Sequence, residues 1–218
     1  EQDFQQYWTE LRGTTLFFYM DKKTPAYTKK LELVNLTSIA NVYPDERRGG
    51  ARFLLMLPNE DVELKVEDYD NREEWKSFIL TVTQLAVPAC ISLLPGQLIR
   101  LNEVLEKEKK RRTAMMNRCF YAVSRQEAIE MLEKDPSWGN LILRPGSDSK
   151  NFSVTIRQDI DGPCIKHYRV VNTGKGYTIE LARSVTLLSL RDVIDYFLKE
   201  TRGSLMPFVS HTYDNRLG

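Results

Sequence analysis

Residues 141–156, LILRPGSDSKNFSVTI, decide the fold of the C-terminal half of the chain. Three apolar residues directly precede Arg144, and a polar loop, residues 145–151, follows it. An arginine at the end of a buried strand is costly unless an anion neutralises it. The loop offers hydroxyl and backbone N–H groups to that same anion. The stretch therefore predicts two strands joined by a phosphate-binding loop, with a planar, permanently charged donor beside it.

The composition is that of an ordinary globular protein. The 218 residues, 42% hydrophobic and 28% charged, suit one large domain or two of about 100 residues. A formal charge of +1 argues against a nucleic-acid protein with one broad basic face. Three widely spaced cysteines, Cys90, Cys119 and Cys164, favour free thiols in a reducing compartment and form no zinc spacing. We therefore expect a cytoplasmic protein without metal or cofactor.

Signals for membrane insertion and export are not visible in the sequence. No apolar run reaches the roughly 20 residues that span a bilayer, and no signal peptide is seen. Because the chain opens with Glu1, we expect the natural protein to extend further upstream.

Residues 1–90 predict a small β barrel or sandwich closed at one end by a helix. Five segments have strand patterns: Tyr7–Leu11, Thr15–Met20, Leu31–Val34, Ala51–Leu57 and Val62–Val66. From Arg72 to about Leu85 the apolar residues take helical spacing, with Trp75 and Ile79 on one face.

Residues 91–116 predict a connector that contains a charged helix, Gln97–Arg112. Its charged end, residues 107–112, is interrupted by Glu108. We interpret it as a solvated, salt-bridged helix end rather than as a membrane or nucleic-acid site.

Residues 117–218 predict a helix, an antiparallel sheet and a second helix. Ser124 and Glu127 have capping-box spacing, and Ser189 precedes the second helix in the same way. The whole chain is thus predicted to be an α+β protein of two domains.

The C-terminal unit resembles an SH2 domain over essentially all of 117–218. The matching segments are Leu141-Ile142-Leu143-Arg144, Ser124-Arg125, Ile165-Lys166-His167-Tyr168-Arg169 and Asp195-Tyr196-Phe197. The resemblance implies phosphotyrosine binding by Arg144, Arg125, Ser147, Ser149 and His167. It also implies a peptide-specificity surface at Tyr168 and Ile179. Alternatives stay open for all five residues. Arg144 could form only a structural salt bridge, Arg125 could be a solvated helix start, His167 a structural histidine, and Ser147 and Ser149 turn stabilisers.

Two positions depart from the SH2 pattern. Gly146 stands where many members have a phosphate-binding serine, and Pro145 replaces a common glutamate. A missing hydroxyl contact costs about 1–2 kcal/mol of binding, which affects the tightness of binding rather than its mode.

The N-terminal unit resembles a pleckstrin-homology (PH) domain, less specifically and without that family's first strand. Gln5 and Gln6 replace the usual basic residues at the start of the Trp8 strand. A candidate weak lipid patch remains at Lys22, Lys23, Lys29 and Lys30. Each such charge contributes about 1 kcal/mol near an anionic membrane.

A PH-like domain followed by an SH2 domain resembles the signal-transducing adaptor protein family, although the linker is shorter than expected. The resemblance implies a non-enzymatic adaptor that binds phosphotyrosine motifs on receptor and cytoplasmic tyrosine kinases, including Tec-type kinases, or on their substrates. It also implies recruitment to the inner face of the plasma membrane. The alternative is a membrane-lipid-binding protein in which the PH-like domain dominates. An enzyme is disfavoured because no Gly-rich phosphate loop, kinase signature or nucleophile elbow is present.

Two tyrosines are candidate phosphorylation sites. Tyr69 and Tyr213 are each followed two positions later by asparagine, a pattern that some adaptor SH2 domains read once the tyrosine is phosphorylated. The plainer interpretation, a loop tyrosine that is never phosphorylated, stays open for both.

Overall fold

The computed structural model describes residues 3–46, 50–89, 93–148 and 150–210. The chain divides into two compact units, Glu1–Lys110 and Arg111–Gly218. Among the described residues, no helix is both long enough and apolar enough to cross a membrane.

The first unit contains two three-stranded antiparallel sheets and a helix. The first sheet comprises β1 (Trp8–Arg12), β2 (Thr15–Tyr19) and β3 (Lys29–Glu32). The second comprises β4 (Ser38–Glu46), β5 (Gly50–Met56) and β6 (Asp61–Val66). Helix α1 (Tyr69–Gln84) follows, capped by the Asp68 carboxylate, which accepts from the Asn71 backbone N–H.

One apolar core joins both sheets to α1. Alternate side chains point inward on β2 and β5, which is the periodicity of strands with one buried face. The buried members of this core are Leu16, Phe18, Leu33, Phe53, Leu55 and Ile79. Trp75 packs against it partly buried, as the helical pattern predicted.

The predicted strands of the first unit are present, but the sequence pattern missed one there. Strand β4 contains Pro44 and Asp45, which are typical of turns and obscured its alternation. Its pairing with β5 shifts register between Val42 and Glu46, so these residues belong to an irregular part of the strand. The described strands form two separate sheets and no closed barrel.

Helix α2 (Pro95–Cys119) is longer than predicted and extends across the division between the units. The charged end was interpreted as solvated and salt-bridged, and the solvated part of that interpretation is wrong for Glu108 and Arg112, which are buried. Arg112 is buried and donates to the Asp195 carboxylate at 3.0 Å, a tertiary contact that local charge patterning cannot reveal.

The second unit is a five-stranded antiparallel sheet between two helices. The elements are α3 (Arg125–Lys134), β7 (Leu141–Pro145), β8 (Phe152–Asp159), β9 (Pro163–Asn172), β10 (Tyr177–Ile179), β11 (Val185–Leu187) and α4 (Leu190–Glu200). The spatial order is β11-β10-β9-β8-β7. Both predicted caps form, with Ser124 in a reciprocal capping box with Glu127 and Ser189 accepting from the Asp192 N–H.

The two faces of this sheet carry different cores. Leu141, Leu143 and Val154 pack in one cluster with Phe197 of α4. Ile142 packs in another cluster, whose remaining buried members are Tyr121, Ala128, Met131, Leu132 and Phe208. Since successive strand residues point to opposite faces, Arg144 shares the α3 face with Ile142.

Candidate phosphate-binding site

A cleft of about 660 Å³ opens on the α3 face of the second unit. It is lined by the start of α3 with the segment before it, the end of β7, the following loop, one residue of β8 and two residues of β9. Four of the five residues predicted to bind phosphotyrosine belong to the described part of the chain. All four, Arg125, Arg144, Ser147 and His167, line this cleft.

Arg144 lies at the base of the site and is only 7% exposed. Its Nε donates to the Thr155 hydroxyl at 3.0 Å, and one Nη donates to the Pro145 carbonyl at 3.3 Å. Burial lowers the pKa of the Arg144 guanidinium, and the nearby positive charge of Arg125 lowers it further. No carboxylate of the described residues pairs with Arg144, so an anion in the cleft would supply the missing countercharge.

His167 faces the same guanidinium through Thr155. The Thr155 Oγ1 and His167 Nδ1 atoms are 2.8 Å apart, and an Arg144 Nη lies 3.4 Å from the same Nδ1. Because arginine only donates, the Arg144 Nη contact makes Nδ1 an acceptor. Thr155, which accepts from the Arg144 Nε, therefore donates its own proton to Nδ1. Burial lowers the pKa of His167, and the charges of Arg125 and Arg144 lower it further. His167 therefore accepts as a neutral imidazole at Nδ1, which holds Thr155 and Arg144 in place.

Arg125 enters the cleft as the first residue of α3. The capping box of Ser124 and Glu127 fixes this helix start, and the Ser124 backbone N–H lowers the pKa of Glu127. Arg125 is solvent-exposed. Together with Arg144 it gives the cleft two positive charges from two different elements.

The loop after β7 is shaped by Asn151. The Gly146 N–H donates to the Asn151 carbonyl at 2.8 Å, and the Asn151 Oδ1 accepts from the Asn172 N–H at 2.9 Å. A Cβ at Gly146 would lie 3.0 Å from that Asn151 carbonyl oxygen. A serine at this position would therefore require the Asn151 backbone to shift by a few tenths of an ångström.

The loop serines differ in what the structure describes. Ser147 is exposed at the rim of the cleft, where its hydroxyl is accessible to a ligand. Ser149 lies outside the described residues. Phosphate binding by either serine stays a prediction.

Sequence reasoning missed two residues of the site. Arg169 lines the cleft, and the buried Thr155 contacts Arg144 and His167. Thr155 is directly opposite His167 in the β8–β9 register, and Arg169 is opposite Ser153. Residues 167 and 169 point to the same face because side chains alternate along a strand. Period-two patterning from His167 was a sequence signal for Arg169, whereas Thr155 is located only by the observed strand register.

The predicted peptide-specificity surface needs one correction. Tyr168 packs against Phe197, with ring centroids 5.3 Å apart, and stays partly exposed, so its role is still a prediction. Ile179 is completely buried in the α4-side core. Its side chain completes the core and offers no surface to a peptide in this structure.

The remaining candidate residues lie in other places. Lys22, Lys23, Lys29 and Lys30 are exposed in the first unit. Tyr69 begins α1 and is 57% exposed, but Arg72, three residues later, is fully buried and forks onto Asp45. Tyr69 and Asn71 lie in the first turn of α1, so this turn would have to unwind before another domain could bind the motif. Tyr213 lies outside the described residues.

Comparison with known proteins agrees with this geometry. The SH2 domain family model matches residues 120–197, which contain the whole cleft. Signal-transducing adaptor protein 1 of mouse is 53% identical over 241 residues, covering 100% of this chain and 80% of the relative. The human protein of the same name is 53% identical over 236 residues, covering 98% of this chain and 80% of the relative. This chain belongs to the signal-transducing adaptor protein family.

Within this family the second named member is more distant. Signal-transducing adaptor protein 2 of mouse is 39% identical over 223 residues and is covered to 54% of its length. The match to mouse adaptor protein 1 spans 241 residues against the 218 of this chain, so that relative has residues with no counterpart here. The family model identifies the SH2 domain, and the PH resemblance of the first unit stays a prediction.

Proposed function

We propose that this protein is a non-enzymatic signalling adaptor that binds phosphotyrosine motifs of other proteins in the cleft around Arg144. Phosphotyrosine brings a charge of about −1.5 to −2 and three acceptor oxygens. The cleft offers three arginines, Arg125, Arg144 and Arg169, and the exposed hydroxyl of Ser147 to such a group.

The observation that carries this proposal is the burial of Arg144 without a carboxylate partner among the described residues. Its contacts with Thr155, Pro145 and His167 orient the guanidinium without neutralising it. A buried charge that is oriented but not neutralised is the state expected of a receptor for an anion.

Calorimetric titration of a degenerate phosphotyrosine peptide library into the full chain tests the proposal. The wild type should bind the phosphorylated peptides and ignore the unphosphorylated ones. Arg144→Lys should weaken binding about 100-fold, because lysine cannot hold two oxygens in a fork. Arg157→Lys, on β8 outside the cleft, is the matched control and should bind as the wild type does. Equal binding by Arg144→Lys would refute the assignment.

The absence of catalysis is part of the proposal. The relatives are named as adaptors, and the side chains that line the cleft include three arginines suited to binding an anion. Incubation with nitrophenyl phosphate, phosphotyrosine peptides and nucleotides should give no turnover. Hydrolysis by the wild type that is absent in Arg144→Lys would show that the protein is an enzyme and refute this part of the proposal.

The proposed partners are tyrosine-phosphorylated receptor and cytoplasmic tyrosine kinases, Tec-type kinases among them, and their substrates. The proposed location is the cytoplasm, with recruitment to the inner face of the plasma membrane. Co-precipitation of the tagged wild type, but not Arg144→Lys, with a co-expressed active tyrosine kinase tests this. Imaging of the same two proteins tests the location.

Weak contact with anionic membrane is a second candidate function, supported by exposed side chains of the first unit. Trp8, Met20 and Tyr27 are 49%, 56% and 48% exposed, close in sequence to the four candidate lysines. The Lys22 ammonium lies 5.2 Å from the Trp8 ring centroid, so aromatic and basic groups share one surface. Tryptophan and lysine are both favoured at a membrane interface.

Co-sedimentation with vesicles of phosphatidylcholine and phosphatidylserine tests this contact. Lys22→Ala/Lys23→Ala should lose binding, while Lys134→Ala/Lys175→Ala, with the same charge change in the second unit, should retain it. Strong binding that survives Arg144→Lys would favour the alternative in which lipid binding dominates. No sedimentation of the wild type would remove the membrane contact and leave the phosphotyrosine proposal intact.

A further inference from the structure

Asp148 is the one carboxylate among the described residues that line the cleft. A negative charge in a phosphate-binding cleft opposes the ligand, so its presence needs a reason. Part of the reason is structural. Its Oδ1 accepts from the Asn151 N–H at 3.0 Å and the Lys150 N–H at 3.3 Å, and its Oδ2 accepts from the Asn151 Nδ2 at 2.9 Å.

The two backbone contacts do not by themselves require a charge. An asparagine or serine oxygen at position 148 can accept from the same backbone N–H groups, as in Asx and ST turns. The carboxylate charge therefore has a second consequence, which depends on what else it faces.

Asp148 faces Arg169 across the cleft. Its Oδ2 lies 3.7 Å from one Arg169 Nη, while the other Nη donates to Glu180 at 3.3 Å. The Arg169 and Asp148 side chains are 53% and 51% exposed, which makes this pair weak and easily exchanged. The free protein thus holds a third cleft arginine between two carboxylates.

We propose that Asp148 is an internal counter-anion that competes with the ligand phosphate for Arg169 and so limits the affinity of the cleft for phosphotyrosine. This inference rests on the proposed function. The phosphate, with more charge and three oxygens, draws Arg169 away from Asp148. The Asp148 carboxylate stays beside it, tied to Asn151, and competes for the same guanidinium. The bound ligand consequently exchanges more readily than in a cleft without the acid.

The test is titration of the phosphotyrosine peptide library into the full chain carrying Asp148→Asn, Asp148→Ser or the control Asp161→Asn. Asp161 lies in the exposed turn between β8 and β9, outside the cleft, and gives the same charge change. We expect Asp148→Asn and Asp148→Ser to tighten binding about threefold at low salt, the size typical of an exposed ion pair. The gain should shrink at about 0.5 M salt, where charges are screened, and Asp161→Asn should show none.

A double substitution locates the effect. In an Arg169→Ala background, the gain from Asp148→Asn should disappear, because no guanidinium remains to compete for. A gain that persists there, or at high salt, would overturn the proposal. So would unchanged or weaker binding by both Asp148 variants when their urea midpoints match the wild type. Wild-type binding without a gain in either variant removes this inference alone, whereas no wild-type binding removes the phosphotyrosine function itself.

Discussion

Substitution of Thr155 by valine should weaken phosphotyrosine binding although Thr155 is completely buried. Its hydroxyl accepts from the Arg144 Nε at 3.0 Å and lies 2.8 Å from the His167 Nδ1. Valine has nearly the same shape but offers neither contact. Arg144 then keeps its charge while losing the acceptor that aims it into the cleft.

The magnitude follows from these two contacts. A hydrogen bond to a charged donor contributes about 1.5–3 kcal/mol, and a neutral one about 1 kcal/mol. Burial of the additional methyl group offsets about 0.8 kcal/mol of this loss. We therefore expect Thr155→Val to lower the free energy of unfolding of the second unit by about 2–3 kcal/mol. Phosphopeptide affinity should fall about tenfold, which corresponds to about 1.4 kcal/mol of lost orientation.

Urea unfolding and calorimetry on the same preparations measure both effects. Thr155→Ser keeps the hydroxyl and should restore most of the affinity. Thr178→Val is the matched control, since the Thr178 hydroxyl contacts only Thr186, at 2.8 Å, among the described residues. Wild-type affinity in Thr155→Val, with unfolding changed by less than about 0.5 kcal/mol, would refute the role given to the Arg144–Thr155–His167 chain.

Three other predictions follow from the same structure. Asp45→Asn breaks the ion pair with buried Arg72 and should destabilise the first unit by about 2–3 kcal/mol. This is somewhat below the usual cost of breaking a buried pair because Asp45 is partly exposed. Urea unfolding measures the effect, with Asp61→Asn as the control. The pKa of His167 is lowered in the folded protein, so the unfolded chain binds the proton more tightly. The stability that neutral His167 contributes is therefore fully present above about pH 6.5, and it is lost as the pH falls through the lower folded pKa. The difference in unfolding free energy between wild type and His167→Gln should change over that range, and a constant difference from pH 7.5 to 5 would contradict this. Burial raises the pKa of the Cys119 thiol to about 12, so iodoacetamide should label exposed Cys164 and reach Cys119 only after unfolding, as peptide mass spectrometry can show.

The phosphate-binding cleft was predictable because its main elements are local in sequence. Leu141–Leu143, Arg144 and the loop after it occupy one strand and one turn, and their chemistry can be stated before the sheet is known. Arg125 could be placed because the capping box of Ser124 and Glu127, which flanks it, is also local. By contrast, the position of Thr155 opposite His167 depends on the register of two strands, which the residue pattern alone does not determine.

The errors have the same origin in tertiary structure. Ile179 was expected on a peptide-binding surface, but the short strand β10 turns it into the core against α4. Arg112 belongs to a helix end that is highly charged in sequence, yet Asp195 of α4 pairs with it. In both cases a tertiary contact with α4 decides whether the side chain is exposed.

The placement of Arg144 links the stability of the fold to its proposed ligand. The same strand buries Leu141 and Leu143 on the α4 side and directs Arg144 to the α3 side, so the guanidinium is fixed by a core that it does not enter. Partial burial makes the unneutralised charge costly in the free protein, and Thr155 and His167 reduce this cost without removing it. An anion that enters the cleft neutralises the charge and removes the rest of this free-energy cost. Binding is therefore strongest for groups with enough charge and oxygen atoms to replace water around the guanidinium. The rigid apolar strand therefore contributes to recognition. It holds the guanidinium in the cleft before phosphate binds, whereas a guanidinium on a mobile element would move into water.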